Sequence, residues 1–186
     1  MLGVTKTGPG TVELTERPEP VVRAGHVVLD VVGAGICGTD LHIWDDEFPS
    51  EPPVTMGHEV SGVVREVGEG VAGWAVGDRV VSETYFSTCG ECEWCRGGRL
   101  NLCAQRRSIG SREDGAFAAR VLVPARGIHR IPDWLDGHAA SHRALLGHLS
   151  GRLRAYYRGK LARIGRGAIE AEDLVQEAIL AIHLHP

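Results

Sequence analysis

Short apolar runs alternating with glycine-rich turns dominate the first two thirds of this 186-residue chain. The runs are rich in β-branched residues, which favour strands. The clearest of them are Val27–Val32, Val60–Val67, Arg79–Val81 and Ala118–Val123. Turns such as Gly68-Glu69-Gly70 lie between them, because glycine adopts positive φ without a steric penalty. Several short strands joined by tight turns predict a mainly β fold, a barrel or a sandwich, up to about residue 132.

Beyond Pro132 the pattern changes to helical spacing. Apolar residues recur at steps of three and four from Leu145 to Ile164, and a second amphipathic stretch runs from Glu170 to Ile182. Acidic residues at the start of the second stretch favour the beginning of a helix there. We therefore expect a short two-helix segment over residues 136–186, following a β domain over residues 1–135. Two such helices bury little surface by themselves.

Charge divides the chain near the same place. Seven Lys/Arg residues and no acid lie between His138 and Ile169, and four acids follow up to Glu177, so this tail carries +3 and residues 1–137 carry −7. The acidic larger part argues against direct nucleic-acid binding. We find neither a long apolar stretch nor a secretory signal, which predicts a cytoplasmic protein without a membrane span.

Four of the five cysteines lie within fifteen residues, in the spacing C-x2-C-x2-C-x7-C. They are Cys89, Cys92, Cys95 and Cys103. Zinc prefers four thiolates in a closed structural site, so this spacing predicts one structural zinc. A pair of disulfides and plain buried thiols are the alternatives. Disulfides need an oxidising compartment, and an odd number of cysteines fits a disulfide scaffold poorly.

A second candidate metal site combines the remaining cysteine with a histidine and an acid. Cys37, His58 and Glu59 offer a thiolate, an imidazole and a carboxylate, which zinc accepts together. Catalytic zinc uses mixed ligands and keeps one position open. The five cysteines therefore predict two separate metal sites, one structural and one chemical. Histidine pairs elsewhere, such as His138 with His142, are more often solvated surface residues than ligands.

The run Gly57-His58-Glu59-Val60-Ser61-Gly62, followed by Gly68 and Val71, matches the motif G-H-E-x2-G-x5-G-x2-V. Together with residues 35–42, the four-cysteine segment and residues 73–80, it resembles the zinc-containing medium-chain alcohol dehydrogenases. The polyol, sorbitol and threonine dehydrogenases are the most similar branch. The resemblance covers residues 1–135 and implies a GroES-like, partly open β-barrel with a four-cysteine zinc lobe.

This resemblance also implies a role for each site residue. Cys37 and His58 would be ligands of the catalytic zinc, with Glu59 as a supporting partner or an exchangeable ligand. Thr39 matches the hydroxyl that passes the alcohol proton onward, and His42 matches the far end of that relay. A turn hydroxyl is the alternative for Thr39, and a surface or packing histidine is the alternative for His42. The implied reaction is the oxidation of a small secondary alcohol or polyol with NAD(P), on a zinc Lewis acid.

Two features of the family have no counterpart in these residues. A further zinc ligand, expected shortly after the first domain, is not found in residues 136–142. The strand–G-x-G-x-x-G–helix motif that binds a dinucleotide is also not found, and the nearest string, residues 165–170, lacks the third glycine. We therefore expect a weaker catalytic zinc site and an incomplete enzyme, inactive as the isolated chain, because no second domain holds the nicotinamide against the alcohol.

The tail resembles a different family. Residues 152–157 and 171–178 are similar to the core helices of extracytoplasmic-function sigma factors, a resemblance that covers residues 142–183. It implies RNA polymerase as a partner of the tail, and a generic two-helix tail is the alternative. The chain would then be a truncated or fused dehydrogenase. The rival function is a non-catalytic, zinc-stabilised binding module.

Overall fold

The computed structural model describes residues 1–132, in which residues Met1–Arg130 form one compact unit. The strands are β1 (Leu2–Gly8), β2 (Thr11–Glu16), β3 (His26–Gly35), β4 (Val54–Thr55), β5 (Glu59–Val67), β6 (Arg79–Ser82), β7 (Tyr85–Ser87), β8 (Arg107–Ser108), β9 (Arg120–Pro124) and β10 (Ile128–Arg130). The α-helices are α1 (Gly38–Trp44) and α2 (Glu93–Arg96). The predicted mainly β fold is confirmed. The predicted helices of residues 136–186 lie outside the described residues.

Antiparallel pairing joins these strands into three open sheets. The largest has the order β10-β6-β5-β3-β9, the second has the order β2-β1-β4, and the third pairs β7 with β8. The four valine-rich runs of the sequence correspond to β3, β5, β6 and β9, so all four strand predictions are confirmed. None of the helices described within residues 1–132 has the length and apolar content to cross a membrane.

The core is built around β3, which lies between β5 and β9. Its consecutive residues Val27, Val28 and Leu29 are fully buried, so both faces of this strand contact apolar neighbours. Burying a valine or leucine side chain stabilises a fold by about 1.5–3 kcal/mol. The end of β3 leads directly to Cys37, and the start of β5 carries Glu59. The buried pair of strands β3 and β5 therefore positions the backbone at Cys37 and Glu59.

Strands β1 and β2 and helix α1 had no counterpart among the predicted elements. Their sequences mix polar and apolar residues, and Lys6 in β1 is fully buried in spite of its charge. Lys6 Nζ donates hydrogen bonds to Asp46 Oδ1 at 2.6 Å and to the Trp44 carbonyl at 2.7 Å. The Gly10 N–H donates to Asp46 Oδ2 at 2.7 Å. These bonds attach the end of α1 to the β1–β2 hairpin and thereby fix the position of the helix.

The ion pair between Lys6 and Asp46 should affect how the stability of the protein changes in acid. Hydrogen bonding from Lys6 lowers the pKa of Asp46 in the folded protein. A carboxyl with a lowered folded-state pKa stabilises the fold above its unfolded pKa of about 3.9, and the stabilisation is lost as the pH falls through the folded value. Asparagine tolerates the left-handed backbone of Asp46, with φ 62°. We expect Asp46→Asn to lower the urea midpoint at pH 6 and to lose less stability than the parent at lower pH.

The measurement is urea unfolding of both proteins from pH 6 to pH 3 in identical metal-containing buffers. Loss of metal in acid affects both proteins, so the difference between the two curves isolates Asp46. Parallel curves at all pH values would contradict this role of the ion pair.

Candidate metal centres

The four-cysteine lobe runs from Cys89 to Cys103, between β7 and β8. All four ligand atoms lie within 4.8 Å of one another. Cys89 Sγ is 3.8 Å from Cys95 Sγ and 3.6 Å from Cys103 Sγ. A tetrahedral zinc with Zn–S bonds of about 2.3 Å places its sulfur atoms about 3.8 Å apart. The lobe therefore has the spacing of a tetrathiolate zinc site.

Local backbone geometry supports this arrangement. All five cysteines are free, and a disulfide would need sulfur atoms about 2.05 Å apart. Cys92 caps the N-terminus of α2, where its Sγ accepts from the Cys95 N–H. Hydrogen bonds from the backbone N–H groups of Cys92 and Glu91 lower the pKa of the Cys89 thiol to about 6. A thiol with a lowered pKa is suited to metal binding, because the thiolate is the ligand form.

The second cluster begins where β3 ends. Cys37 is the N-cap of α1, and its Sγ accepts a hydrogen bond from the Thr39 N–H at 3.3 Å. In return, the carboxylate of Asp40 accepts from the Cys37 N–H at 2.9 Å. This reciprocal pair is a capping box, which stabilises the start of a helix. It fixes both Cys37 and Asp40 at the first turn of α1.

His58 and Glu59 bring the other two donor groups to the same place. His58 Nε2 lies 3.1 Å from Cys37 Sγ, and the ligand atoms of Cys37, His58 and Glu59 all lie within 4.8 Å of one another. Glu59 is opposite Gly35 in the β3–β5 pairing, and its carboxylate lies over that glycine. The three residues proposed from the sequence as one site are thus adjacent in the structure.

Asp40 is a site residue that the sequence reasoning missed. Its side chain is 3% exposed, and its Oδ1 lies 3.3 Å from His58 Nδ1 without forming a hydrogen bond to any described residue. The Asp40 carboxylate beside the ring is the main reason why the pKa of His58 is raised. An acid at Nδ1 favours the tautomer that carries its proton there, which leaves Nε2 free to bind a metal. The capping-box spacing from Cys37 to Asp40 was the available signal.

Gly57, the residue before His58, is closely packed against the backbone of residues 115–117. Gly57 has φ 90°, and a Cβ on it would lie 2.8 Å from the Phe117 backbone nitrogen. A Cβ on Gly115 would lie 2.1 Å from the Gly57 carbonyl oxygen. Hydrogen bonds from Ala116 N to Gly57 O and from Phe117 N to Met56 O, each 2.9 Å long, connect the two segments. The segment after the cysteine lobe therefore positions His58.

The two residues assigned to the proton relay both lie on α1, three positions apart, which places them as neighbours on the helix surface. Thr39 is half-buried and follows Cys37 by two residues. His42 is 42% exposed, and its Nδ1 is 2.5 Å from Glu47 Oε2. The Nδ1 side of the His42 ring therefore contacts a carboxylate.

Comparison with known proteins identifies the family of the β domain. The family model for the alcohol dehydrogenase GroES-like domain matches residues 23–133. The chain is 42% identical over 137 residues to a sorbitol dehydrogenase from Halalkalibacterium halodurans, a match that covers 74% of this chain and 40% of that protein. The chain spans about two fifths of the length of the curated relatives that it matches, between 40% and 44% for the sorbitol, arabitol-phosphate and threonine dehydrogenases.

Solved structures of similar proteins include two dehydrogenases. Galactitol-1-phosphate dehydrogenase from Escherichia coli superimposes with a TM-score of 0.65 at 31% identity, covering 72% of this chain and 38% of that one. The cobalt- and zinc-bound thermostable alcohol dehydrogenase from Pyrobaculum aerophilum gives a TM-score of 0.64 at 30% identity, covering 70% and 41%. Both proteins share at least 30% sequence identity with this chain over the matched region, so the similarity extends beyond the fold.

Proposed function

Since the chain belongs to the alcohol dehydrogenase GroES-like family of zinc-dependent medium-chain dehydrogenases, we propose that residues 1–135 form a catalytic domain for oxidation of a small alcohol or polyol. The adjacency of Cys37, His58 and Glu59 carries the proposal. Relatives named for sorbitol and galactitol-1-phosphate favour a polyol as substrate. NAD(P) is the hydride acceptor that this family membership suggests. No dinucleotide-binding motif was found in residues 1–186.

The donor set fits a catalytic zinc. One thiolate, one imidazole and one carboxylate leave a fourth tetrahedral position for substrate. The buried Asp40 carboxylate beside His58 Nδ1 is the outer partner that a metal-bound histidine requires. We propose Cys37 and His58 as ligands, with Glu59 as the third or exchangeable ligand. The cysteines Cys89, Cys92, Cys95 and Cys103 would hold a second, structural zinc.

The residues around this site would have separate roles in alcohol oxidation. When bound, zinc would supply a Lewis acid that lowers the pKa of a coordinated alcohol. The Thr39 hydroxyl, two residues after Cys37, would accept the alcohol proton and pass it toward His42. Glu47 orients the His42 ring through Nδ1 and would stabilise the imidazolium after proton transfer. Helix α1 and its N-cap residue thus hold one proposed ligand, the proposed relay and the partner of His58.

Replacing Cys37 tests this assignment without requiring turnover. We expect Cys37→Ala to reduce bound cobalt from about two to about one equivalent per chain, because only the four-cysteine cluster would remain intact. In the parent chain, adding sorbitol should perturb the cobalt absorption spectrum, and in Cys37→Ala this response should disappear. Metal content is measured by elemental analysis after removal of free cobalt.

Ile36→Ala is the matched control, since Ile36 is an exposed neighbour of Cys37 and is not among the proposed ligands. It should keep both metal equivalents and the response to sorbitol. Two equivalents bound by Cys37→Ala would refute the metal assignment. A sorbitol response in Cys37→Ala would place the substrate elsewhere.

The alternative role of a zinc-stabilised module that binds RNA polymerase depends on residues 142–183. These residues lie outside the described part of the chain, and the resemblance to sigma-factor helices stays a sequence prediction. None of the observations on residues 1–132 favours this role over that of a catalytic domain.

A further inference from the structure

A cavity of about 670 Å³ lies outside both metal clusters. It is bounded by the residues before β3, the loop between β5 and β6, strand β7 and the turn after β9. Its lining includes His26, Val71, Trp74, Phe86 and Arg126. This volume lies in the range of ligand pockets, about 300–1,000 Å³, which combine apolar walls with a few polar groups. None of the clustered metal-ligand candidates lines it.

Aromatic rings form the apolar part of the lining. The ring centroids of His26 and Phe86 are 5.1 Å apart, with an interplanar angle of 37°. The Arg130 guanidinium lies 5.1 Å from the centroid of the Trp74 ring, and two hydrogen bonds to Asp78 hold that guanidinium. These contacts fix the orientation of the rings. Rings held in this way suit the binding of a flat apolar ligand.

Arg126 contributes a cation to the lining. Arg126 lies 5.5 Å from the Tyr85 ring centroid and, among residues 1–132, forms no ion pair with a carboxylate. Arg130 differs, because Asp78 compensates its charge. No aspartate or glutamate is among the lining residues. A planar guanidinium without an acidic partner is well suited to bind a carboxylate through two parallel hydrogen bonds.

We propose that this cavity binds a small organic anion of the aryl carboxylate class. The carboxylate pairs with Arg126, and the aromatic body packs among Trp74, Phe86 and His26. His26 Nδ1 is engaged by the Ala24 carbonyl at 2.8 Å, which leaves Nε2 as the ring atom available for a polar substituent of the ligand. The site is separate from the proposed alcohol site, so it can be tested independently of that function.

The test is a nuclear magnetic resonance titration of the complete, zinc-loaded 186-residue chain with 2-naphthoate. Its neutral counterpart, 2-naphthalenemethanol, has the same ring system without the charge. We expect saturable shifts of the Trp74 indole signal and of the Gly25 and Gly70 amide signals. Because a charge-assisted, bidentate contact is lost with the alcohol, the acid should bind at least about tenfold more tightly.

Two variants with the same change in net charge distinguish a specific contact between Arg126 and the ligand carboxylate from a general electrostatic attraction of the anion to the protein. Arg126→Gln should bind 2-naphthoate about tenfold more weakly than the parent, as the alcohol does. Arg23→Gln, an exposed residue close in sequence to the cavity but not in its lining, should bind with unchanged affinity. Both variants must give folded amide spectra, which exposed positions allow.

Several results would overturn the proposal. These are equal affinities for the acid and the alcohol, equal losses in the two variants, and saturable shifts confined to residues around Cys37. The absence of any saturable shift at the cavity would also overturn it. A failure here leaves the metal assignments intact, because the cobalt measurements on Cys37→Ala do not depend on this cavity.

Discussion

Cys92→Ser should remove one metal equivalent and unfold the lobe between Cys89 and Cys103. Cys92 both caps α2 and belongs to the four-sulfur cluster. Structural zinc in small cysteine-rich peptides contributes about 10–16 kcal/mol of apparent binding free energy, and loss of one thiolate removes a large part of it. Within the lobe only Cys103 is buried among the four cysteines, so little apolar packing replaces the metal.

Trypsin and elemental analysis together measure this effect. The lobe contains Arg96 and Arg99, two exposed trypsin sites, and we expect a bound metal to keep the backbone around them folded and resistant to cleavage. We expect rapid cleavage at these two sites in Cys92→Ser and slow cleavage in the parent. Cys37→Ser is the matched control: it should also lose one equivalent but should keep the lobe resistant. A resistant Cys92→Ser protein with full metal content would contradict a structural zinc in this lobe.

Gly115→Ala should have a large effect although it leaves all the proposed metal ligands unchanged. The added methyl group would lie 2.1 Å from Gly57 O, 2.5 Å from Met56 O and 2.6 Å from Gly110 Cα. All three are backbone atoms, so a side-chain rotation cannot relieve the clash. Overpacking of this kind costs about 1–3 kcal/mol or more. The displaced residue Gly57 immediately precedes His58, so the cobalt affinity of the Cys37 site should fall as well.

The measurements are the urea midpoint and the cobalt affinity of each site. Gly8→Ala is the matched control, because a methyl group there meets no atom within 4 Å and the backbone is not left-handed. It should change the free energy of unfolding by less than about 0.5 kcal/mol. An unchanged urea midpoint in Gly115→Ala would show that the segment at Gly115 can move away from Gly57 without loss of stability. A lower urea midpoint with unchanged affinity at Cys37 would show that the packing does not position His58.

The sequence was sufficient for the parts of this fold whose signals are local. Valine-rich runs between glycine turns correctly predicted β3, β5, β6 and β9, because each of these strands buries apolar side chains in the core. The cysteine spacing correctly predicted that Cys89 and Cys103 belong to one cluster, since the intervening chain can wrap a single ion. The motif beginning at Gly57 led to the correct family.

The features that were missed depend on contacts between distant parts of the chain. Lys6 is fully buried because Asp46, forty residues away, lies over it, and no pattern within β1 shows this. The packing of Gly115 against Gly57 is likewise invisible in either segment alone. Asp40 was within reach of the sequence, through its spacing from Cys37, but its contact with His58 required the fold.

The arrangement of these segments has a consequence for biosynthesis. All four cysteines of the lobe lie within a short stretch of chain, so a ribosome-bound chain can take up zinc there as soon as Cys103 has emerged. The segment that contacts Gly57, and strands β9 and β10 at the two edges of the main sheet, are synthesised only afterwards. Contacts between residues far apart in the chain form slowly. We therefore expect the nascent chain to complete the four-cysteine cluster before the segment at Gly115 can pack against Gly57.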